Sequence, residues 1–333
     1  LAVYTQLSAD ALGALIGEYD VGALVSAKGI AEGVSNSNWL IDTAGRDGAG
    51  DGSGGARYIL TMYERRIELA DLPFFLGLLD HLSAKGCPVP RTIHDRRGAA
   101  WRMLGDKAVA LIEFLPGVSI DQPTPAQAHD VGRVLAQMHL AAQDFGNNGA
   151  AARANDLGPD ASARVLAECG PAALAGIDPA LPAMIEVAAG IALGWPRGLP
   201  CSVIHSDLFP DNVLMLGDHV GGLIDFYFAC HDAMAYDLAV THAAWSFDAS
   251  GAHYRAPVGA ALIAGYETIR PLQPAERAAL PMLAQGAAMR FISSRAQDWL
   301  DTPADALVTR KDPMAFVRRL ECYRAGGAGL FAP

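Results

Sequence analysis

Through about the first 115 residues, apolar and polar positions alternate in short runs broken by glycine. Beyond them, apolar positions recur at helical spacing. In "LSADALGALIGEYD" the apolar Ala11, Leu12, Leu15 and Ile16 follow Ser8, a good N-terminal cap, and predict a short helix. "NWLID" (38–42) and "YILTMY" (58–63) read as strands. Asp71 and Pro73 open a helix that runs through Lys85 and stops at Gly86. "AVALIEFLPG" (108–117) is an apolar strand entering a Pro-Gly turn. Thr124 and Pro125 then begin a helix to about Ala142, and helical stretches follow near 160–169, 178–193, 235–247, 257–269 and 274–299. Only short strands near 203–204, 213–216 and 221–225 interrupt them, the last two joined by "GDH". The pattern predicts an α+β chain of two lobes. A small sheet-rich N-terminal lobe spans 1–115 and a larger, mainly helical C-terminal lobe spans 116–333, with a ligand cleft expected at their junction.

Between the two predicted strands, "TAGRDGAGDGSGGAR" crowds Gly45, Gly48, Gly50, Gly52, Gly54 and Gly55 together. A phosphate-cradling P-loop runs from strand into helix and ends in Gly-Lys-Ser/Thr. This segment joins two strands and has no such lysine, so it reads as a flexible hairpin tip.

Composition narrows the function classes. With 333 residues, 51% of them hydrophobic and 18% charged, there is ample material for buried cores. A formal charge of −11 disfavours general nucleic-acid binding, which needs clustered Lys and Arg, while leaving room for a local basic pocket. Cys87, Cys169, Cys201, Cys230 and Cys322 are scattered without CxxC pairs, against a disulfide framework or a structural zinc site. No run approaches the length of a membrane span, and "LAVYTQLSAD" has no secretory-signal pattern. A cytoplasmic protein with a small-molecule partner is expected, with no nucleic acid and no membrane. Oligomeric state is left open between monomer and homodimer.

The stretch that carries chemistry is "VIHSDLFPDN" (203–212), which sets two acids, an amide and a histidine in an otherwise apolar run. Phosphoryl transfer needs a carboxylate to orient the attacking hydroxyl and accept its proton, plus oxygen ligands for the cations that bridge the phosphates. Asp207 and Asn212 have the H-x-D-x-x-x-x-N spacing of a kinase catalytic loop. Thirteen residues on, across a predicted hairpin, "LIDFY" supplies Asp225 where kinases keep a magnesium-binding aspartate. Asp and Asn clusters also make ordinary turns, so HxDxxxxN alone is weak; Asp225 at hairpin distance makes the constellation specific.

"HSDLFPDNVL" and "GLIDFYFA" resemble the aminoglycoside-phosphotransferase and choline-kinase superfamily of protein-kinase-like enzymes. Run by run, "KGIAEGVSNSNWLI" (28–41), "YILTMYERR" (58–66), "DLPFFLGLLDHL" (71–82), "VIHSDLFPDNV" (203–213), "LIDFYFACHDAMAYDLA" (223–239) and "LVTRKDPMAF" (307–316) are similar to the bacterial homoserine kinases of this fold. The resemblance implies a bilobal protein-kinase-like fold and transfer of a phosphoryl group from ATP, with Mg2+, to the L-homoserine hydroxyl on the way to threonine. Related kinases of aminoglycosides, choline or methylthioribose are the alternative, and a nucleotide-sensing pseudokinase is disfavoured by the presence of Asp207, Asn212 and Asp225.

The same resemblance implies roles. Asp207 would be the catalytic base, Asn212 and Asp225 the metal ligands, and His205 a brace for the loop. Asp237, in "AYDLA", would support the loop by hydrogen bonds, with capping of the following helix as the plain alternative. Gly29, Gly33, Ser35, Asn36 and Asn38, with Ser37, would form a loop over the nucleotide phosphates, and Glu113 is counted with the nucleotide-binding set. One departure stands out. The strand expected to carry a phosphate-binding lysine has Thr61 near that position, and alternation puts Thr61, Tyr63 and Arg65 on one face. Arg65 is therefore the candidate cation, with a solvated strand-end arginine as the alternative. The helix expected to hold its glutamate partner is apolar there, so no lysine–glutamate pair is assigned. His139 reads as structural, and Trp245, Trp299, Arg290 and Arg295 as candidate walls of the acceptor site, though surface salt bridging is the commoner fate of such arginines.

Overall fold

A computed structural model describes residues 7–30, 36–44, 55–64, 68–146, 153–302 and 310–332. These fall into two compact units, one through Pro116 and one comprising Gly117–Phe145 and the residues from 153 onward.

The first unit begins with helix α1 (Ala9–Ile16), whose first turn is closed by Ser8 accepting from the Ala11 amide at 3.2 Å. Strands β1 (Leu24–Ile30), β2 (Asn36–Thr43) and β3 (Ala56–Tyr63) follow, then α2 (Leu72–Ala84), β4 (Thr92–Ile93), β5 (Arg102–Leu104) and β6 (Lys107–Glu113). The strands form one antiparallel sheet in the order β1-β2-β3-β6-β4, with β5 also on β6. Period-two alternation decides its faces. Trp39 and Ile41, Leu60 and Met62, and Val109 and Leu111 turn to one side and pack on Leu12, Leu15, Ile16, Tyr19 and Val21. Burying these six sheet side chains stabilises the unit by about 1.5–3 kcal/mol each. β2 and β3 pair from Asn36↔Tyr63 to Thr43↔Ala56, so the glycine-rich segment does join two antiparallel strands; residues 45–54 themselves lie outside the described set.

The second unit contains α3 (Pro125–Ala141), α4 (Pro159–Cys169), α5 (Pro171–Ile177), α6 (Met184–Leu193), β7 (Cys201–Ile204), β8 (Val213–Leu216), β9 (His219–Leu223), β10 (Cys230–Ala233), α7 (Met234–Trp245), α8 (Ala256–Ile269), α9 (Pro274–Asp301) and α10 (Met314–Gly326). Thr124 and Gln127 form a reciprocal capping box on α3. α3 and α8 approach so closely that a Cβ on Gly132 would sit 2.0 Å from the Leu262 carbonyl oxygen, and one on Gly265 would sit 1.9 Å from that of His129. Glycine at both positions is what the contact requires. All twelve residues of α7 are buried, so its polar side chains must be satisfied inside the protein. Thr241 donates to the Asp237 carbonyl at 2.8 Å, and His242 pairs with the Tyr323 hydroxyl at 2.8 Å.

Several elements differ from the sequence reading. The helix expected near 178–193 begins only at Met184, because Asp178 is extended at the end of α5, a helix the pattern did not predict, and a 3-10 turn, Leu181–Ala183, leads into α6. β1, β10 and α10 carry no strong pattern: the five central residues of β1 are exposed, and β10 is a four-residue ribbon partner of β7.

Candidate active site

The apolar strand β7 ends at His205, and the loop that follows is held in an unusual backbone state. Ser206 has φ 69° and Asp225 φ 64°, the two non-glycine residues with positive φ among those described. Such conformations persist only where the surroundings over-determine them. At Ser206 the cause is explicit. Asp237, wholly buried in the first turn of α7, accepts the amide N–H groups of His205 and Ser206, each at 2.7 Å. Buried Arg290 of α9 donates to the Ser206 carbonyl and, at 2.8 Å, to its Oγ. Trp245 Nε1 donates to the Leu208 carbonyl at 2.9 Å.

His205 links the two halves of the site. Its Nε2 lies 2.9 Å from the Ile224 carbonyl, which can only accept, so Nε2 carries the proton. Nδ1 is then free to accept the Asp207 amide N–H at 3.3 Å. Burial pushes the imidazole pKa down, outweighing the upward pull of Asp237, which keeps this tautomer neutral. One ring thus ties the backbone of Asp207 to the residue preceding Asp225.

Asp207 is followed by a 3-10 turn, Pro210–Asn212, that brings Asn212 back beside it. The Asn212 amide nitrogen lies 2.8 Å from the Asp207 carbonyl and 3.4 Å from its Oδ2; both are acceptors, so Nδ2 must face them and Oδ1 is left to coordinate. The Ile224 N–H donates to the Asn212 carbonyl at 3.0 Å, locking the end of the β8–β9 hairpin to the loop. Burial raises the Asp207 carboxyl above the usual range, opposed by Arg290, whose Nη2 is 3.7 Å from Oδ1, and by His205. The Asp225 carboxyl, though open to solvent, is pushed up to about 7, first by its protein surroundings and then by the charges of Asp207 and Asp211. Mutually repelling carboxylates beside a free amide oxygen suit a divalent cation. Among the described residues no cluster of three or more His, Cys, Asp or Glu is arranged to enclose a metal by itself. A cation here would take only a few protein oxygens, as Mg2+ does when phosphates and waters complete its shell.

Asp237 does not cap α7, whose N-cap is Ala233; it lies one turn inside, where its side chain reaches the loop. Burial would raise its pKa, but the hydrogen bond from His139 and the neighbouring histidines hold it below the usual value. His139 Nε2 donates to Asp237 at 2.9 Å while Nδ1 meets the Tyr266 hydroxyl at 2.9 Å. Arg290, a sequence candidate for the acceptor wall, is instead committed to Ser206 and Asp207 from beneath. Trp245 likewise braces the loop. Lys311, inside the resembling run 307–316 but given no role by it, bears electrostatically on Asp207 and Asp225 together.

In the first unit, the residues expected to form a phosphate loop are largely strand. Gly29 pairs opposite Trp39 in β1, and Asn36 and Asn38 belong to β2, where their backbones face Tyr63 and Thr61. Asn38 Oδ1 accepts from the buried Thr61 at 2.9 Å, whereas the buried Oδ1 of Asn36 meets no donor among the described residues. Glu113 accepts the Arg91 amide N–H at 3.3 Å and pairs with its guanidinium at 3.6 Å. Gly33, Ser35 and Arg65 lie outside the described residues. A lysine–glutamate pair does occur, between Lys107 of β6 and Glu64, which also accepts from Ser37 at 2.6 Å. The sequence reading missed it because the two residues are far apart in the chain.

Comparison with known proteins agrees with this geometry. Residues 26–272 match the family model described as "Phosphotransferase enzyme family". The chain is 46% identical to the homoserine kinase of Granulibacter bethesdensis, covering 99% of this chain and 100% of the relative. It is 48% identical to that of Caulobacter sp. (strain K31), with the same coverage. Among solved structures, the amicoumacin kinase hAmiN in complex with AMP-PNP, Ca2+ and Ami superposes with a TM-score of 0.68 at 13% identity, over 98% of this chain and 96% of that one. The spectinomycin phosphotransferase APH(9)-Ia gives 0.68 at 14% identity, over 98% and 100%. These two share the bilobal α+β fold of protein-kinase-like enzymes. A histidine-braced acid loop, a second aspartate across a hairpin and full-length relatedness converge: the chain belongs to the phosphotransferase enzyme family, in its homoserine kinase branch.

Proposed function

We propose that this protein transfers the γ-phosphoryl group of ATP to the side-chain hydroxyl of L-homoserine, giving O-phospho-L-homoserine for threonine synthesis. The observation that carries the reading is 46–48% identity to homoserine kinases over 99% of the chain. Both substrates belong to the cytoplasm, where we place the enzyme.

Asp207 orients the acceptor hydroxyl and takes its proton; its raised pKa strengthens it as a base. Arg290 and Asp237 fix the carbonyl and amides just before it, so the carboxylate is positioned before substrate arrives. His205 keeps Asp207 and Asp225 in register through its two ring nitrogens. Asn212 and Asp225 hold Mg2+, which when bound neutralises charge on the phosphates. Gly29, Asn36, Asn38 and Glu113, with Gly33, Ser35 and Arg65, contribute the nucleotide-binding surface of the first unit. The buried, unmatched Oδ1 of Asn36 supports a polar ligand at that hairpin.

An ADP-release assay across L-homoserine, choline, methylthioribose and kanamycin tests the proposal. Homoserine should give the highest kcat/KM; a higher value for any of the other three retains the family and overturns the substrate.

A further inference from the structure

Arg295 and Arg319, two arginines of the second unit, are each hydrogen-bonded to a backbone carbonyl. Arg295 of α9 donates from Nη1 to the Asp312 carbonyl at 3.0 Å, and Arg319 of α10 donates from Nη2 to the Asp248 carbonyl at 3.0 Å. Among the described residues neither guanidinium has a carboxylate within ion-pair distance, and Nε of Arg319, a residue only 5% exposed, has no acceptor at all. Burying cations on backbone carbonyls alone is costly. Both guanidinium groups lie over one ring, that of Phe316, at 4.5 and 4.2 Å from its centroid. Phe316 in turn meets Phe291 at 4.8 Å and Phe209 at 6.2 Å, and Phe209 is two residues beyond Asp207. This concentrates positive charge beside the acid loop.

Arg295 is attracted first by Asp312 and then by Asp207 and Asp211, whereas Lys311 bears on both Asp207 and Asp225. Through Phe316 and Phe209 the Arg295 guanidinium stands beside the loop that carries Asp207. Arg295 is half-buried, so a small anion reaches it, and the buried Arg319 guanidinium lies over the same ring.

We infer that Arg295 binds the α-carboxylate of the amino-acid acceptor, so that recognition of homoserine rests on an arginine fork stacked on Phe316. This inference rests on the proposed function and adds the residue that sets its substrate class. Planar guanidinium matches carboxylate geometry with two parallel hydrogen bonds, and a stacked arginine is not replaced by lysine without loss.

The test compares L-homoserine with 3-amino-1-propanol, which keeps the hydroxyl and ammonium but lacks the carboxylate. Wild-type protein should prefer homoserine strongly. In Arg295→Gln the kcat/KM for homoserine should fall about 10²- to 10³-fold, and the preference over the amino alcohol should collapse by a similar factor. Arg295→Lys, which keeps the charge, should lose part of that preference, and it decides the matter if the glutamine variant does not fold. An unchanged preference ratio in the folded variants would overturn the inference. So would a loss confined to Mg-ADP affinity, which would assign the arginine to nucleotide phosphate. If wild-type protein fails to phosphorylate homoserine at all, the functional reading fails first, and the two failures are told apart.

Discussion

Asp237→Asn is a change of one atom in the residue that holds the acid loop, and its cost can be worked from the hydrogen bonds. Oδ2 of Asp237 accepts from His139 Nε2 at 2.9 Å and from the His205 amide at 2.7 Å, while Oδ1 accepts from the Ser206 amide at 2.7 Å. All three partners are donors in a fully buried site. An asparagine must point its NH2 at one of the two positions. Facing Ser206, it opposes one backbone N–H. Facing the other pair, it opposes the His205 N–H even if His139 changes tautomer against Tyr266. At least one buried donor is left unmatched, at about 1–3 kcal/mol, and the enforced donor–donor contact brings the total to about 2–4 kcal/mol. Ser206 then loses part of what holds its left-handed backbone, and Asp207 moves with it. A shift near 1 Å is enough for on the order of a 10²-fold loss of turnover. Thermal unfolding should show Tm lowered by roughly 5–10 °C, with kcat reduced and homoserine KM little changed. The pH dependence gives an independent check. The folded pKa of Asp237 lies below the ordinary 3.8, so the unfolded chain binds more protons between the two values. Its stabilisation is full above 3.8 and is lost as pH falls through the folded value, so wild type and variant should converge in acid. A folded Asp237→Asn protein with wild-type Tm and kcat would refute this account of the loop.

Other outcomes follow from the same geometry. Asp207→Asn should keep the fold and nucleotide affinity while kcat drops on the order of 10²–10⁴-fold, which steady-state kinetics beside calorimetric Mg-ADP titration would check. Asp225→Ala should weaken Mg-dependent nucleotide binding more than homoserine binding; equal nucleotide affinity in both proteins would remove Asp225 from the metal site. Because the Asp225 carboxyl is raised to about 7, protons compete with the cation as pH falls below that value. Mg2+ affinity in wild type should thus weaken from pH 8 to pH 6, and a flat profile would contradict the assignment. Gly265→Ala would drive a Cβ to 1.9 Å from the His129 carbonyl oxygen on α3. Separating α3 from α8 also strains the His139–Tyr266 bond, so destabilisation should exceed about 3 kcal/mol, read as a large drop in Tm or loss of soluble protein.

Local pattern determined much of this protein by itself. Ser8 and Thr124 announced their helices, alternation in 58–63 decided which face of β3 meets the core, and HSDLFPDN with Asp225 marked the acid loop, because caps, period and motif spacing are properties of neighbours in the chain. Edge strand β1 escapes because its central residues face solvent and carry no apolar period, and Asn36, which reads as loop, and Asn38, which reads both as the start of a strand and as part of the loop, are held extended by the ladder to β3. The roles of Arg290 and Arg295 were not separable either. Five residues apart on α9, both read as arginines near an acceptor. Only packing decided that one is buried under Ser206 while the other lies over Phe316, since the chain brings α9, α10 and residues 205–209 together from distances no local pattern spans. The left-handed backbone of Ser206 is the clearest case: nothing in serine favours it, and it exists because Asp237, 31 residues away, and Arg290, 84 residues away, both bond to it.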